Sequence, residues 1–360
     1  MARTGLIYGD TNTYKSTAVG HFSKYIYEKT HKRTLLLTTD GGGLDPIEGE
    51  IRGGLLVPHR CNVQVPLPFL YKIAEGYWPE HPEDSSSHTN LIPTNWDEYG
   101  GLAIEGLSSV SQTVLRYLAD NGVKTGEDAT NQFGLNVWVN GRETMVKFAG
   151  NSRGHYGFTQ NHLYSLVMKF ASWPVEYVLW TAHSSKSEEE DRTPIYGPDV
   201  AGKKATAKVP TWVGHCIHAQ DYMVRKPVEV PDPADPKKKM VVDEIENVVR
   251  MYFMKHPDPV TNILYPANPR VVSAKLPDLL KKYPGGYFVP TLEGGFDEFL
   301  HTVDKLQSEQ GNAMDEWRKK VDERFRGKQA VGGQAGQVGQ AGQQAVRPES
   351  VPVLTSTATK

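Results

Sequence analysis

The segment Gly9-Asp10-Thr11-Asn12-Thr13-Tyr14-Lys15-Ser16-Thr17 opens a short polar loop on glycine and closes it on a Lys-Ser pair. This matches the phosphate-binding pattern G-x-x-x-x-G-K-[ST], except that Tyr14 stands where the second glycine belongs. Backbone N–H groups at a helix start can cradle an anion, and Lys15 adds a mobile positive charge. The Ser16 hydroxyl is of the type that ligates Mg²⁺. Gly9, Thr11, Asn12, Thr13, Tyr14, Lys15, Ser16 and Thr17 are therefore the candidate phosphate-contacting residues. Tyr14 must accept a backbone angle that glycine takes more easily, or the turn must shift by one residue.

A metal held at Ser16 needs a second protein oxygen nearby. Glu105 directly follows the apolar run Leu102-Ala103-Ile104 and is the better candidate for that metal ligand. Asp40 ends the run Leu35-Leu36-Leu37-Thr38-Thr39 and is the other acidic strand end. One of the two orients a metal and the other activates water; the residues alone leave the assignment open. Thr181 and His183, two apart near the end of Val175–His183, point the same way along a strand and suit a site beside a terminal phosphate. A structural role for His183 at the strand end is the alternative. His215, Cys216 and His218 lack partners at metal-ligand spacing and read as strand residues.

The elements that must hold these groups follow from periodicity. Residues 4–9 read as a buried strand, and Ser16–Lys29 as a helix with Val19, Phe22, Tyr25 and Ile26 on one face. Arg33–Asp40 is an apolar run suited to a parallel strand covered on both sides. Strand, helix and strand with short joins make a right-handed βαβ unit, and the Gly41-Gly42-Gly43 loop lies at the strand edge where ligands collect. Residues 58–96 are proline-rich and read as an insertion with a mobile loop at Pro82–Asn90. Further strands are expected at Tyr99–Gly106, Val175–His183 and Trp212–Val224, and helices at Leu107–Asp120 and Phe158–Ser172. A short hairpin is expected at Leu135–Phe148, and Ser184–Val209 reads as a loop. Lys226–Met240 reads as a solvated hairpin tip, Val241–Lys255 as its return strand and Arg270–Ser273 as a short strand. Phe296–Gln310 reads as a helix, and Met314, Trp317, Val321 and Phe325 mark a last charged one. The Gly/Gln/Ala repeats and Ser/Thr/Pro end of 328–360 offer little to bury and read as disordered.

With 360 residues the chain is long enough for a sizeable core. A net charge of −2 excludes a polycationic protein, so any nucleic-acid contact must be a local patch. Two distant cysteines form no disulfide framework, and no apolar run reaches transmembrane length. The expectation is a cytoplasmic protein without membrane contact.

Taken in order, the phosphate loop, the Leu-Leu-Leu-Thr-Thr-Asp strand, Leu102–Glu105 and Thr181-Ala182-His183 resemble the RecA-like ATPases. The small phage-encoded, single-domain recombination ATPases are the members it most resembles. Gly41–Pro46 and Pro198–Lys204 are similar to segments of those proteins, and the likeness covers about residues 4–225. The resemblance implies an α/β RecA-like core over 1–225 with a mainly parallel central sheet. Strands and helices over 226–327 would complete or extend it, and 328–360 would be the tail. It implies ATP on Gly9 and Thr11–Thr17, with Lys15 at the β- and γ-phosphates and Mg²⁺ on Ser16 and Glu105. It places the water-activating carboxylate just after the second strand, where this chain has Asp40 and then glycines. It further implies a homo-oligomer in which a basic residue (Lys203, Lys204 or Lys208) completes the neighbouring site. Single-stranded DNA would be the nucleic-acid partner, met by loop 184–208 and by Arg225, Lys226 and Lys237–Lys239. A phage-encoded chain would work in the host cytoplasm.

The leading expectation is thus a Mg-dependent ATPase of DNA recombination or replication. Water would attack the γ-phosphate in line while Lys15 neutralises developing charge. Lys15, Asp40, Glu105 and His183 are the candidate catalytic residues. A small-molecule phosphotransferase on the same core and a non-catalytic nucleotide-binding scaffold are the alternatives.

Overall fold

The computed structural model describes residues 2–39, 44–61, 67–83, 90–121, 134–139, 142–147, 153–188, 194–232, 235–269, 271, 275–292 and 294–309. Residues up to Gln307 form one compact unit. Asp40, the Gly41–Gly43 loop, the Met314–Phe325 stripe and the 328–360 tail lie outside the described residues.

The chain begins β1 (Arg3–Gly9), α1 (Lys15–Thr30), β2 (Arg33–Thr38), α2 (Glu48–Arg52), β3 (Leu56–Arg60) and α3 (Leu67–Ala74). It continues with β4 (Tyr77–Pro79), β5 (Leu91–Pro93), β6 (Tyr99–Glu105), α4 (Leu107–Asn121), β7 (Gly134–Val139) and β8 (Arg142–Lys147). Then come α5 (Arg153–Ala171), β9 (Tyr177–Glu188), β10 (Pro194–Pro198), α6 (Lys203–Trp212), β11 (His215–Asp232) and β12 (Asp235–Tyr252). β13 (His256–Pro257), β14 (Leu264–Tyr265), α7 (Leu276–Lys282) and β15 (Tyr287–Phe288) follow, and a helix covers 296–309.

The main sheet runs β15-β12-β11-β1-β9-β6-β2-β3, with β10 added on β9. Strands β11, β1, β9, β6, β2 and β3 are parallel. Within this sheet, among the described residues, β10, β12 and β15 are added antiparallel. This is a mixed α/β fold with a largely parallel central sheet.

Side-chain alternation explains why these runs are apolar throughout. Leu6, Tyr8, Leu35, Leu37, Leu102, Ile104, Val178 and Trp180 enter one core with α3–α6. Ile7, Leu36, Ala103, Leu179 and Ile217, the residues between them, enter the other with α1 and the 296–309 helix. A strand covered on both faces needs apolar residues at every position, and each fully buried one contributes ~1.5–3 kcal/mol. On α1, Val19, Phe22, Tyr25 and Ile26 are all completely buried. Asp304, on the 296–309 helix, accepts from Tyr25 Oη at 2.5 Å and pairs with Lys29 and Arg3. The segment after β12 therefore closes over α1.

Several expectations need correction. Ser184–Val209 is not a plain loop. β9 runs on to Glu188 and pairs with β10, and Lys203–Trp212 is helical. Ala205 and Val209 there are buried at helical spacing, a period too short to stand out beside the charged flanks. The following strand starts at His215, and Trp212 ends α6 with its ring 5.4 Å from Tyr164. The 58–96 stretch contributes a parallel edge strand, β3, which begins ahead of it at Leu56, and the helix α3. Lys226–Met240 lies, as expected, at the far end of an antiparallel ribbon of β11 and β12, whose return strand already begins at Asp235 and whose register shifts between Pro231 and Asp232. Among the described residues no helix is long and apolar enough to cross a membrane.

Candidate functional site

The C-terminal ends of β1 and β6 and the Thr181–His183 part of β9 meet beside the start of α1. In register, Gly9 lies level with His183 on one side and Ala219 on the other. A Cβ on Gly9 would stand 2.2 Å from the Ala219 carbonyl oxygen and 2.8 Å from Thr13 Oγ1. Only glycine lets the chain leave the sheet at this point.

The loop closes on itself. Thr13 Oγ1 donates to the Asp10 carbonyl at 2.7 Å. Lys15 Nζ donates to the carbonyls of Gly9, at 3.1 Å, and Asp10, and to Thr13 Oγ1 at 3.2 Å. Asn12 and Tyr14 both adopt the left-handed conformation, with φ of 63° and 58°. Tyr14 thus takes the angle glycine would supply, and the turn does not shift. Tyr14 precedes α1 without a side-chain cap, and no acidic residue occupies the first turn. The positive end of the helix and its first N–H groups lie at this loop, an arrangement that favours an anion.

The tertiary fold brings Ser16 and Glu105 together: Ser16 Oγ donates to Glu105 Oε1. Glu105 is 9% exposed. Its strand end is tied to β2 through the Thr39 N–H, which donates to the Glu105 carbonyl at 3.0 Å. Thr181 Oγ1 accepts from the Gly106 N–H at 3.2 Å, holding β6 and β9 level. The His183 N–H donates to Ser108 Oγ at 3.0 Å, and its carbonyl accepts from the Asp199 N–H at 2.7 Å.

These groups line one cavity of about 620 Å³, bounded by Thr11–Thr17, Glu105, Thr181 and His183. Every predicted site residue among the described ones lines it, apart from Gly9 at the end of β1. Asp45 and Pro46, which lie in the Gly41–Pro46 segment noted for its resemblance but were not named as site residues, also line it, as does Leu292. Asp45 opens a short 3₁₀ turn, Asp45–Ile47, five residues beyond Asp40. Its Asp-Pro start was the available signal. Leu292 arrives from a distant loop and carries no local signal.

Asp10 does not enter the cavity lining; its Oδ1 accepts from Ser184 Oγ. Burial raises the Asp221 carboxyl above its usual range, and the Asp10 charge adds to the shift. Lys204 and Lys208 lie exposed on α6, and Lys203 begins that helix. Lys226 and Lys239 face carboxylates across the ribbon, Glu246 at 3.8 Å and Glu229 at 2.9 Å.

Beneath the loop, His218 lies level with Tyr8 and is buried with His256. His218 Nδ1 and His256 Nε2 are 3.0 Å apart, and Tyr252 and Tyr265 stack on the pair. Burial holds His256 down to about 4 and His218 well below its usual value, with each other's proximity contributing for His218. Asp258 stands beside them. Burial would raise its carboxyl, but Lys186 at 2.8 Å and the Thr261 and Val260 N–H groups together hold it low.

No protein-family model matches the chain, and no curated protein matches it in sequence. Among solved structures it is similar to a KaiC-like protein from the hyperthermophilic archaeon Pyrococcus horikoshii. That similarity has 12% identity and a TM-score of 0.32, and covers 73% of this chain and 89% of that one.

Proposed function

We propose that this chain binds ATP with Mg²⁺ at the Gly9–Thr17 loop and hydrolyses it, acting on single-stranded DNA in recombination or replication. The observation that carries the nucleotide reading is the Ser16–Glu105 pair, set in the same cavity wall as Lys15. A hydroxyl and a carboxylate are hard oxygen donors, the kind Mg²⁺ takes in small number from a protein that also offers it phosphate oxygens. When bound, the metal would draw charge from the β- and γ-phosphate oxygens. Lys15 would exchange its loop carbonyls for those oxygens, and the loop N–H groups would hold the phosphates. Asp40 or Glu105 would orient the attacking water; Asp45, which lines the cavity, is a third candidate. His183 would stand near the terminal phosphate.

The DNA role and the context of a phage or prokaryotic recombination system rest on the sequence resemblance. So does a homo-oligomer in which Lys203, Lys204 or Lys208 reaches a neighbour's site. Tight binding without turnover is a second reading, favoured by the engagement of Glu105 with Ser16.

ATP turnover by the purified chain, with and without single-stranded DNA, tests the proposal against Lys15→Ala. Turnover stimulated by DNA and reduced at least ~10²-fold in the variant is expected. Equal ATP binding by wild type and variant would overturn the site assignment. Phosphate transfer to a nucleoside instead of water would select the phosphotransferase.

A further inference from the structure

β11 leaves the main sheet after Ala219, the last residue paired with β1. From Gln220 onward its only ladder among the described residues is with β12. Among the described residues, the outer side of β12 meets β15 at Met251 and Tyr252 alone. The two strands therefore continue as a ribbon whose two outer edges carry no further ladder among the described residues. A lone two-stranded ribbon is marginal in water, and an open edge is a template for another strand.

The two edges differ. Pro227 and Pro231 interrupt the donors of β11, the way natural sheets block an edge. β12 carries no proline from Lys237 to Tyr252. Its exposed stretch instead reads Lys238-Lys239-Met240-Val241-Val242-Asp243-Glu244. Val241 is 64% exposed and Met240 38%.

That stretch is complementary to itself when reversed. An antiparallel pairing centred on Val241 sets Lys238 against Glu244, Lys239 against Asp243, Met240 against Val242, and Val241 against its own copy. Two-fold symmetry forms each Lys–acid pair twice. A one-residue shift would set side chains of opposite faces against each other, and sliding the partner by two residues leaves one Lys–acid pair in each half, Lys238 with Glu246 or Lys237 with Asp243. Lysines alone would repel a second edge; here acids at matching distance from the centre select one partner and one register. The apolar rows agree. Val230 pairs with Met240 and Val228 with Val242 inside the ribbon. Met240 against the partner's Val242 would join those pairs into one stripe across four strands.

We propose that β12 pairs with β12 of a second copy of this chain, antiparallel and centred on Val241, giving a continuous four-stranded sheet across a two-fold axis. This contact is isologous and independent of the nucleotide site. The Lys239–Glu229 bridge is exposed on both sides and exchanges readily for the intermolecular partner.

Sedimentation of the full chain tests it with two charge swaps at exposed positions. Lys238→Glu with Lys239→Glu makes the edge wholly acidic, and Asp243→Lys with Glu244→Lys makes it wholly basic. Each swap alone is expected to halve the assembled mass, and mixing the two is expected to restore it, because acidic then meets basic at every position. Val241→Cys is expected to cross-link on oxidation, since its copy lies directly opposite. Ile245→Cys is expected not to, lying eight residues or ~27 Å from its copy. Cys61 and Cys216 are buried and do not compete. A monomeric wild type, unchanged mass in the swaps, no recovery on mixing, or equal cross-linking at both cysteines would overturn the proposal.

Discussion

Ser16 Oγ donates to Glu105 Oε1 although 89 residues separate them in the chain. The contact joins the first turn of α1 to the end of β6, two elements that only the parallel sheet brings side by side. Both groups face the same cavity as Lys15. Glu105→Gln keeps the shape and a hydrogen-bonding oxygen but removes the charge. ATP turnover is expected to fall ~10²–10³-fold, with far-UV circular dichroism unchanged. Ser16→Ala is expected to fall similarly, and the double variant by much less than the product, because the two act as one unit.

Gly9→Ala places a Cβ against backbone as well as against Thr13. Backbone cannot swing aside as a side-chain tip can. A loss of about 1–3 kcal/mol is expected in urea unfolding, together with weakened ATP binding. Intact stability would show that the loop can move away from Ala219.

Tyr14 holds the left-handed angle at φ 58° and packs against the α1-side core. Tyr14→Ala keeps the angular cost and loses the packing, whereas Tyr14→Gly loses the packing and the cost together. The glycine variant is therefore expected to be about 1 kcal/mol more stable than the alanine variant, read from paired urea midpoints. The reverse order would mean that the turn relaxes.

The buried His218–His256 pair sets a pH dependence. Both histidines titrate below 6.5 in the folded chain, so the unfolded chain binds more protons. Their contribution is full above about pH 6.5 and falls as pH drops toward 4, at up to ~1.4 kcal/mol per unit for each. Asp258 is held below its usual carboxylate value of 3.8, so its own loss comes below that window. Nearby, the Asp258 hydrogen bond holds the Lys186 ammonium protonated and burial pushes the Tyr265 hydroxyl up, so neither changes charge in this window, and Tyr252 stacks on His256. His256→Gln is expected to flatten the change in urea midpoint between pH 7 and 5. An unchanged slope would place the titration elsewhere.

Much of this molecule is written locally. The βαβ start, the Lys-Ser pair at the helix start and the acidic end of β6 are matters of adjacent residues, periodicity and unbroken apolar runs. Leu35, Leu36 and Leu37 announce a strand buried on both faces because each must face some core. Helix α6 and edge strand β3 were not legible, because a charged flank hides one short period and prolines mask the other. Asp45 was not named as a site residue because its place in the cavity lining depends on where a turn lands, not on its neighbours.

By itself the sequence determined the loop, its lysine, the alternation that makes a two-sided parallel sheet, and the need for an unusual angle at Tyr14. Only the tertiary structure decided that the angle is accepted in place, with φ 58°, and that Glu105 is the carboxylate reaching Ser16. It also decided that Gly9 must lack a side chain because Ala219 lies behind it. The reason is physical: spacing along a chain controls periodicity and backbone torsion, whereas which strand ends are neighbours is settled by sheet order. Gly9–Ser16, Glu105 and Thr181–His183 lie far apart in sequence, and the β1-β9-β6 order makes them one site.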